Sequence, residues 1–307
     1  MTMFWIVAKQ VITMAIFLAI GFLFFKKKLV TVEGVQSISN VAVRFAIPCS
    51  MIKSYMVDFS MDVLVRLLNS FMVCGLAAVL SILLAKLLCR SQSAVDEFCA
   101  SFSNVGAMGI PLVQAALGEG AVFDLSAFLI WCNVLQWTYG YYVVSGRKKK
   151  LATRQILRNP MVVSTTVALA VFFLPFHLPD LLVNAIQSGS NILMPLTMIV
   201  LGAYLARTSL REILTNVTLY RTSLTRLLVI PFVVTLLMML LPKSYHSFAM
   251  AAVIATAAPV ATNCPIVAEW AGENPIRSAL LVYQSTLLSI LTLPLVASFA
   301  SFLLNRP

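Results

Sequence analysis

Two stretches decide the fold of this chain. Residues 101–111 read SFSNVGAMGIP, and residues 256–265 read TAAPVATNCP. Each stretch lies inside a long apolar run and interrupts it with Gly or Pro beside hydroxyl and amide side chains. In lipid every backbone polar group needs a partner, so such interruptions occur only where protein or a water-filled cavity satisfies the freed groups. The two stretches therefore predict two broken membrane helices around a polar site.

The composition sets the class of protein. Of 307 residues, 60% are hydrophobic and 11% are charged, and the mean hydropathy is +0.94. Soluble domains are about 45–50% apolar and about 25% charged, so an ordinary cytosolic enzyme, a disordered protein and a secreted disulfide scaffold are excluded. The net charge of +11 comes with too little polar surface for a nucleic-acid groove. We expect a polytopic protein whose partner is the lipid bilayer, with no nucleic acid.

Apolar runs separated by charge, Pro or Gly predict ten spans, near residues 4–25, 36–57, 66–88, 97–117, 122–144, 160–176, 181–206, 221–241, 246–270 and 277–303. Lys and Arg are enriched in the cytoplasmic loops of helical membrane proteins. One set of loops, with Arg226 among its residues, carries sixteen Lys and Arg, and the other set carries four. This bias predicts a multi-pass plasma-membrane protein with both termini outside.

An internal repeat relates the two halves. Pro111-Leu112-Val113 precedes Gly118-Glu119 just as Pro265-Ile266-Val267 precedes Gly272-Glu273, and PCSMI at 48–52 matches PLTMI at 195–199. Spans two and four thus map onto seven and nine, and a unit of five helices inverts the second copy, as in secondary carriers. The predicted units are residues 1–146 and 159–307, joined by a basic cytoplasmic linker at 147–158. The alternative is chance similarity between apolar helices.

The broken spans supply the first candidate site residues. Each break leaves a half-helix whose N-terminus carries about half a positive charge, and two such ends facing each other attract a carboxylate. The candidates for substrate binding are Asn104, Gly106, Gly109, Pro111, Thr262, Asn263 and Pro265. The alternative is that the prolines only kink helices for packing.

Three further polar residues lie inside predicted spans. Arg44, four residues before Pro48, and Asn191, four before Pro195, are candidate ligands from the two halves, since an intramembrane charge commonly marks a site. Snorkelling to an interface is the alternative for Arg44. Glu269 is a candidate for proton coupling if burial raises its pKa, or else it reaches the cytoplasmic edge.

Three motifs resemble the auxin efflux carrier family, which includes plant auxin exporters and bacterial malate and malonate permeases. They are NVGAMGIPL at 104–112, APVATN at 258–263 and STLLSILTLPL at 285–295. The resemblance implies ten helices in a five-plus-five inverted repeat, with helices 4 and 9 broken and crossing. It also implies small organic acids as substrates and a homodimer, and the short linker points to the bacterial branch.

Other functions fit the sequence less well. An intramembrane enzyme would need a nucleophile–base pair or metal ligands, but HExxH and GxSxG are absent, and we expect no catalytic residue, metal or cofactor. A channel or a sensory receptor is the alternative to a carrier of malate- or malonate-like anions, while coupling to a proton, to sodium or to neither stays open. The six cysteines occur singly in apolar stretches and are predicted to be buried hydrophobes.

Overall fold

The computed structural model describes residues 2–148, 160–173 and 178–304. Within these ranges the chain is all-helical and forms no β-strand, apart from one isolated antiparallel bridge between Ser103 and Val260. Most of the predicted linker, including Lys149, Lys150, Arg154 and Arg158, lies outside the described residues.

The described helices follow the predicted apolar runs and are labelled α1 to α10, two of them divided at a break. They are α1 (Met3–Lys26), α2 (Val32–Val41, Ala42–Ala46 and Ile47–Tyr55), α3 (Met61–Cys89), α4a (Ala94–Ser101), α4b (Val105–Gly109 and Ile110–Leu117), α5 (Gly120–Leu135, Gln136–Gly140 and Tyr141–Val144), α6 (Pro160–Phe172), α7 (Asp180–Asn191 and Leu193–Leu205), α8 (Val217–Leu224, Thr225–Val229 and Ile230–Met238), α9a (His246–Ala257), α9b (Cys264–Ala271) and α10 (Pro275–Leu304). A short helix, Leu210–Thr215, precedes α8.

Six of these helices are long and apolar enough to cross a membrane. They are Met3–Lys26, Met61–Cys89, Gly120–Val144, Asp180–Leu205, Val217–Met238 and Pro275–Leu304. The other four predicted spans correspond to α2, α6 and the two divided helices, so the full set of ten spans and its inverted symmetry stay predictions. Large apolar side chains on the outer faces, among them Met72, Leu87 and Leu291, are exposed, which fits a lipid-facing surface.

Prolines widen helices here more often than they break them. The π turns Ala42–Ala46, Val105–Gly109 and Thr225–Val229 each end two residues before a proline. A proline ring crowds the carbonyl four residues earlier and offers no N–H, and a turn of i→i+5 type accommodates both effects. Pro48 therefore does not break its span, because α2 continues through a π turn from Val32 to Tyr55.

Helices α1 and α7 pack at very close range. A Cβ atom built on Gly21 would overlap the carbonyl oxygen of Ile199, and one on Gly202 would overlap that of Leu18. Small residues let membrane helices approach in this way.

All six cysteines are buried and none forms a disulfide, which confirms the prediction that they are buried hydrophobes.

Candidate functional site

The two predicted breaks are present, and they meet. Residues 102–104 run antiparallel to residues 259–261: the N–H of Asn104 donates to the carbonyl of Pro259 at 2.8 Å, and that of Ala261 donates to Phe102 at 3.1 Å. The N–H of Val260 donates to Ser285 Oγ at 3.1 Å. Each unwound segment thus satisfies the backbone groups of the other, as the interior of a membrane requires. We call this pairing the crossover.

An asparagine stands at the start of each half-helix that leaves the crossover. Asn104 caps α4b, and its Oδ1 accepts from the N–H of Ala107 at 3.4 Å. Asn263 occupies the N-cap position of α9b. The backbone N–H of Gly106 and that of Ile266 make no hydrogen bond to a described residue. Two half-helices therefore begin beside the crossover, and each has a backbone N–H near its N-terminus that has no acceptor in the described chain.

The two breaks occupy different positions within the paired Pro-to-Gly motifs. Pro265 is the second residue of α9b, directly after the break, but Pro111 lies inside α4b, seven residues beyond Asn104. The π turn Val105–Gly109 takes up the difference. The matched Pro-to-Gly spacing therefore aligns the far ends of the two half-helices rather than their breaks.

Arg226 holds the other side of the crossover. The sequence assigned this residue to a cytoplasmic loop, which is wrong, because it lies in the π turn of α8 with 0% of its surface exposed. Its Nη1 donates to the carbonyls of Ala100 at 3.0 Å and Ser101 at 3.2 Å. Its Nε donates to Ala258 at 3.3 Å and its Nη2 to Thr256. One guanidinium group therefore binds the C-terminal carbonyls of both α4a and α9a.

The N-terminal side of the crossover faces a cavity of about 780 Å³. Its walls come from α2, α5, α7 and α10 as well as from the two half-helices. Six of the residues predicted from the sequence line it, namely Asn104, Gly106, Thr262, Asn263, Pro265 and Glu269.

Four predicted residues are not brought to this cavity. Arg44 and Asn191 are exposed, and neither lines the cavity. The π turn in α2 and the one-residue interruption of α7 at Ile192 leave both on outward faces. Gly109 and Pro111 are buried inside α4b, away from the cavity wall.

Three buried polar atoms along the cavity lack a partner in the described chain. They are Asn104 Nδ2, Trp137 Nε1 and Ser103 Oγ, on side chains whose residues are 5%, 9% and 5% exposed. Buried polar groups are nearly always hydrogen-bonded, so three unpaired polar atoms along one cavity indicate a missing partner. The amide and the indole are donors, and the partner they need is an acceptor.

Asn263 differs from Asn104 because its side-chain amide is already hydrogen-bonded to a glutamine. Gln136 Nε2 donates to Asn263 Oδ1 at 3.0 Å, and Asn263 Nδ2 donates back to Gln136 Oε1 at 2.9 Å. The sequence alone favours a packing role for Gln136 in span five. An amide in the middle of a span does indicate a buried hydrogen bond, but no neighbouring residue identifies its partner.

The mouth of the cavity carries the charged side chains of its lining, Arg207 and Glu269. The mouth lies at the end of the helices that bears Lys26, since Phe25 packs there with Val35 and Tyr204. Glu269 is exposed, so the burial on which its predicted proton role depended is not met.

Comparison with known proteins agrees with this architecture. A family model described as "Membrane transport protein" matches residues 6–297. A protein of Rhizobium meliloti (strain 1021) described as "Putative malonate transporter" is 25% identical over 211 residues, which is 66% of this chain. The chain spans 65% of the length of that relative. Since the family model covers nearly the whole chain, this protein belongs to the membrane transport protein family, the auxin efflux carrier-like group that its motifs predicted.

Proposed function

We propose that the protein is a secondary carrier that moves small carboxylates across the plasma membrane by alternating access. The observation that carries this proposal is the convergence of two half-helix N-termini with the unpaired donors Asn104 Nδ2 and Trp137 Nε1 on one cavity. Helix N-termini with free N–H groups bind anions, and carboxylate oxygens accept the hydrogen bonds that these orphan donors lack.

The charge of the site matches a carboxylate group. Two half-helix N-termini together offer about one positive charge, which balances one carboxylate beside the crossover. A second carboxylate would extend toward the mouth, where Arg207 supplies a full positive charge. Short dicarboxylates such as malonate and malate carry two such anionic groups, and the description of the Rhizobium relative supports the same class.

Alternating access requires one end of the cavity to be closed while the other is open. At the end opposite the mouth, Lys53 Nζ of α2 bonds Glu119 Oε1, between α4b and α5, at 2.9 Å. Tyr55, Phe123 and Phe172 pack nearby, with ring centroids 5.0 to 6.2 Å apart. In the proposed topology of ten spans, with an inverted repeat and both termini outside, this conformation opens to the cytoplasm.

Transport by purified protein in proteoliposomes tests the proposal. We expect saturable uptake of labelled malonate, malate or succinate, with lactate and an indole acid as comparison substrates, and acceleration of uptake by unlabelled substrate inside. Carriers show this counterflow, whereas a channel gives neither saturation at low concentration nor counterflow. Runs with and without proton and sodium gradients identify the coupling ion. Absence of counterflow for every substrate would refute the carrier proposal.

The topology has a separate test. In a variant without native cysteines, a cysteine at Lys28 should react with permeant reagents alone, and one at Asp180 should also react with impermeant reagents. The reverse pattern would overturn the proposed orientation.

A further inference from the structure

Arg226 occupies a cage of backbone carbonyls in the middle of the protein. Its guanidinium donates to four carbonyl oxygens, those of Ala100, Ser101, Thr256 and Ala258. The residue is fully buried and forms no ion pair with a described acidic residue. Its partners are therefore the carbonyl groups at which two helices end.

The charges in this cage balance without an acid. The C-terminus of a helix carries about half a negative charge, and two of them, the ends of α4a and α9a, point at Arg226. Together they supply roughly the single negative charge that a buried guanidinium needs. The buried acids of α4a are engaged elsewhere, since Asp96 pairs with Arg277 at 2.9 Å and Glu97 pairs with Arg147 at 3.0 Å.

A set of unwound carbonyls at half-helix C-termini is also what a small monovalent cation takes inside carriers. We propose that the guanidinium of Arg226 is a built-in cation that fills this place, so that the crossover is complete without a bound Na⁺ or K⁺ ion. Arg226 acts as a positioning residue: by binding the two C-terminal ends on one side, it fixes the direction of the two N-terminal ends that face the cavity.

The first measurement is the melting temperature of the purified protein, which needs no substrate and so stays independent of the proposed function. We compare wild type, Arg226→Ala, Arg226→Lys and Arg221→Ala in choline, sodium, potassium and methylguanidinium chloride at equal ionic strength. Arg221 is the matched control, because it lies five residues earlier in α8, is exposed, and among the described residues donates to the carbonyl of Leu88 alone, at 3.0 Å.

We expect wild type to melt at the same temperature in choline, sodium and potassium. Arg226→Ala should melt several degrees lower in choline and regain part of this loss in methylguanidinium or sodium, which enter the vacated cage. Arg226→Lys keeps the charge without the planar fork and should fall between them. Arg221→Ala should match wild type in every salt.

The second measurement, which does rest on the proposed function, is uptake of malonate into proteoliposomes. Wild-type uptake should be equal in choline, sodium and potassium chloride. The uptake rate of Arg226→Ala should be lower by about tenfold or more and should recover in part with methylguanidinium. That loss corresponds to roughly one hydrogen bond from a charged donor.

Three results would overturn the proposal. The first is a saturable rise of wild-type melting temperature or uptake with sodium or potassium. The second is an Arg226→Ala protein that melts and transports like wild type. The third is an equal methylguanidinium effect on Arg221→Ala. If Arg226→Ala does not fold, the salt series on wild type and on Arg226→Lys still decides.

Discussion

The side-chain amides of Gln136 and Asn263 bond each other in both directions, at 3.0 and 2.9 Å, and so link α5 to the start of α9b. Each amide uses one donor and one acceptor in the pair, which fixes the orientation of both. One asparagine of the crossover is therefore held in place by the protein, while Asn104 keeps its donor free.

We predict that Gln136→Leu destabilises the protein by about 1–3 kcal/mol, since it leaves the amide of Asn263 without its partner. The double variant Gln136→Leu/Asn263→Leu should cost less than the sum of the two single variants, because both polar groups are then removed. A double-mutant cycle on melting temperatures measures the coupling. Additive effects would mean that the two amides do not depend on each other.

We predict that Asn104→Ala raises the apparent KM for malonate by about 10–100-fold, while loss of the N-cap bond to Ala107 lowers the stability by only about 0.5–2 kcal/mol. The reason is that the lost Nδ2 donor serves a charged ligand rather than the protein, and such a hydrogen bond contributes about 1.5–3 kcal/mol. Asn133→Ala is the control, because Asn133 lines the same cavity while its amide donates to Leu129 of its own helix at 2.8 Å. Equal KM values for the two variants would move the substrate away from the crossover.

We predict that Gly202→Ala and Gly21→Ala each destabilise the packing of α1 on α7 by about 1–3 kcal/mol, the usual cost of overpacking. The added methyl group would meet backbone atoms, which cannot move aside as a flexible side chain can. Gly120→Ala is the control, since nothing lies within 4 Å of its built Cβ atom. Melting temperatures in detergent give the comparison, and a neutral Gly202→Ala would contradict the close approach.

We predict that Glu119→Gln opens the end of the protein opposite the cavity mouth. A cysteine at Ser54, which lies in the small cavity beside the Lys53–Glu119 pair, should then react faster with an impermeant thiol reagent. The hydrogen bond from Lys53 lowers the pKa of the Glu119 carboxyl. The pair is therefore intact above the usual range of a glutamate pKa and is lost as the pH falls through the lowered value.

The labelling rate at Ser54 is divided by the rate of a free cysteine peptide at the same pH, because the reactive thiolate becomes scarcer in acid. This ratio should be low at neutral pH and should rise only in acid below the usual glutamate range. Glu273→Gln is the matched control, because Glu273 also follows a glycine after a half-helix but forms no ion pair with a described residue. If labelling at Ser54 is equally fast in Glu119→Gln and Glu273→Gln, the pair does not close this end.

We predict that Arg44→Gln leaves the KM values for a dicarboxylate and its monocarboxylate analogue within about twofold of wild type, less than 0.5 kcal/mol. Arg44 is exposed on α2 and does not line the cavity, so the second carboxylate is left to Arg207. The matching variant Arg207→Gln should weaken the dicarboxylate more than the monocarboxylate. A selective loss in Arg44→Gln instead would restore the sequence-based assignment of Arg44.

The breaks could be found in the sequence because glycine, proline and short polar side chains disturb a helix locally. Asn104 and Asn263 stand beside those disturbances and were found with them. The distance from the first break to Pro111 was harder to infer. The five-residue π turn Val105–Gly109 lies between Asn104 and Pro111, and the spacing of hydrophobic residues does not reveal a π turn.

Arg226 and Gln136 show what local patterns cannot supply. Loop charges are counted by distance from apolar runs, and Arg226 stands near the start of such a run, so counting placed it in a loop. Its actual environment comes from carbonyls at residues 100–101 and 256–258, which are distant in sequence. The partner of Gln136 lies equally far away, and a single sequence holds no record of such long-range pairs.

The pairing of the two breaks also has a consequence for how the chain is made. Residues 102–104 find their hydrogen-bond partners at residues 259–261, which are synthesised about half a chain length later. Until then the backbone polar groups at residues 102–104 lack these hydrogen-bond partners. Inside the bilayer an unsatisfied polar group costs several kcal/mol. Closure of the crossover becomes a late step of biogenesis, when α9 arrives.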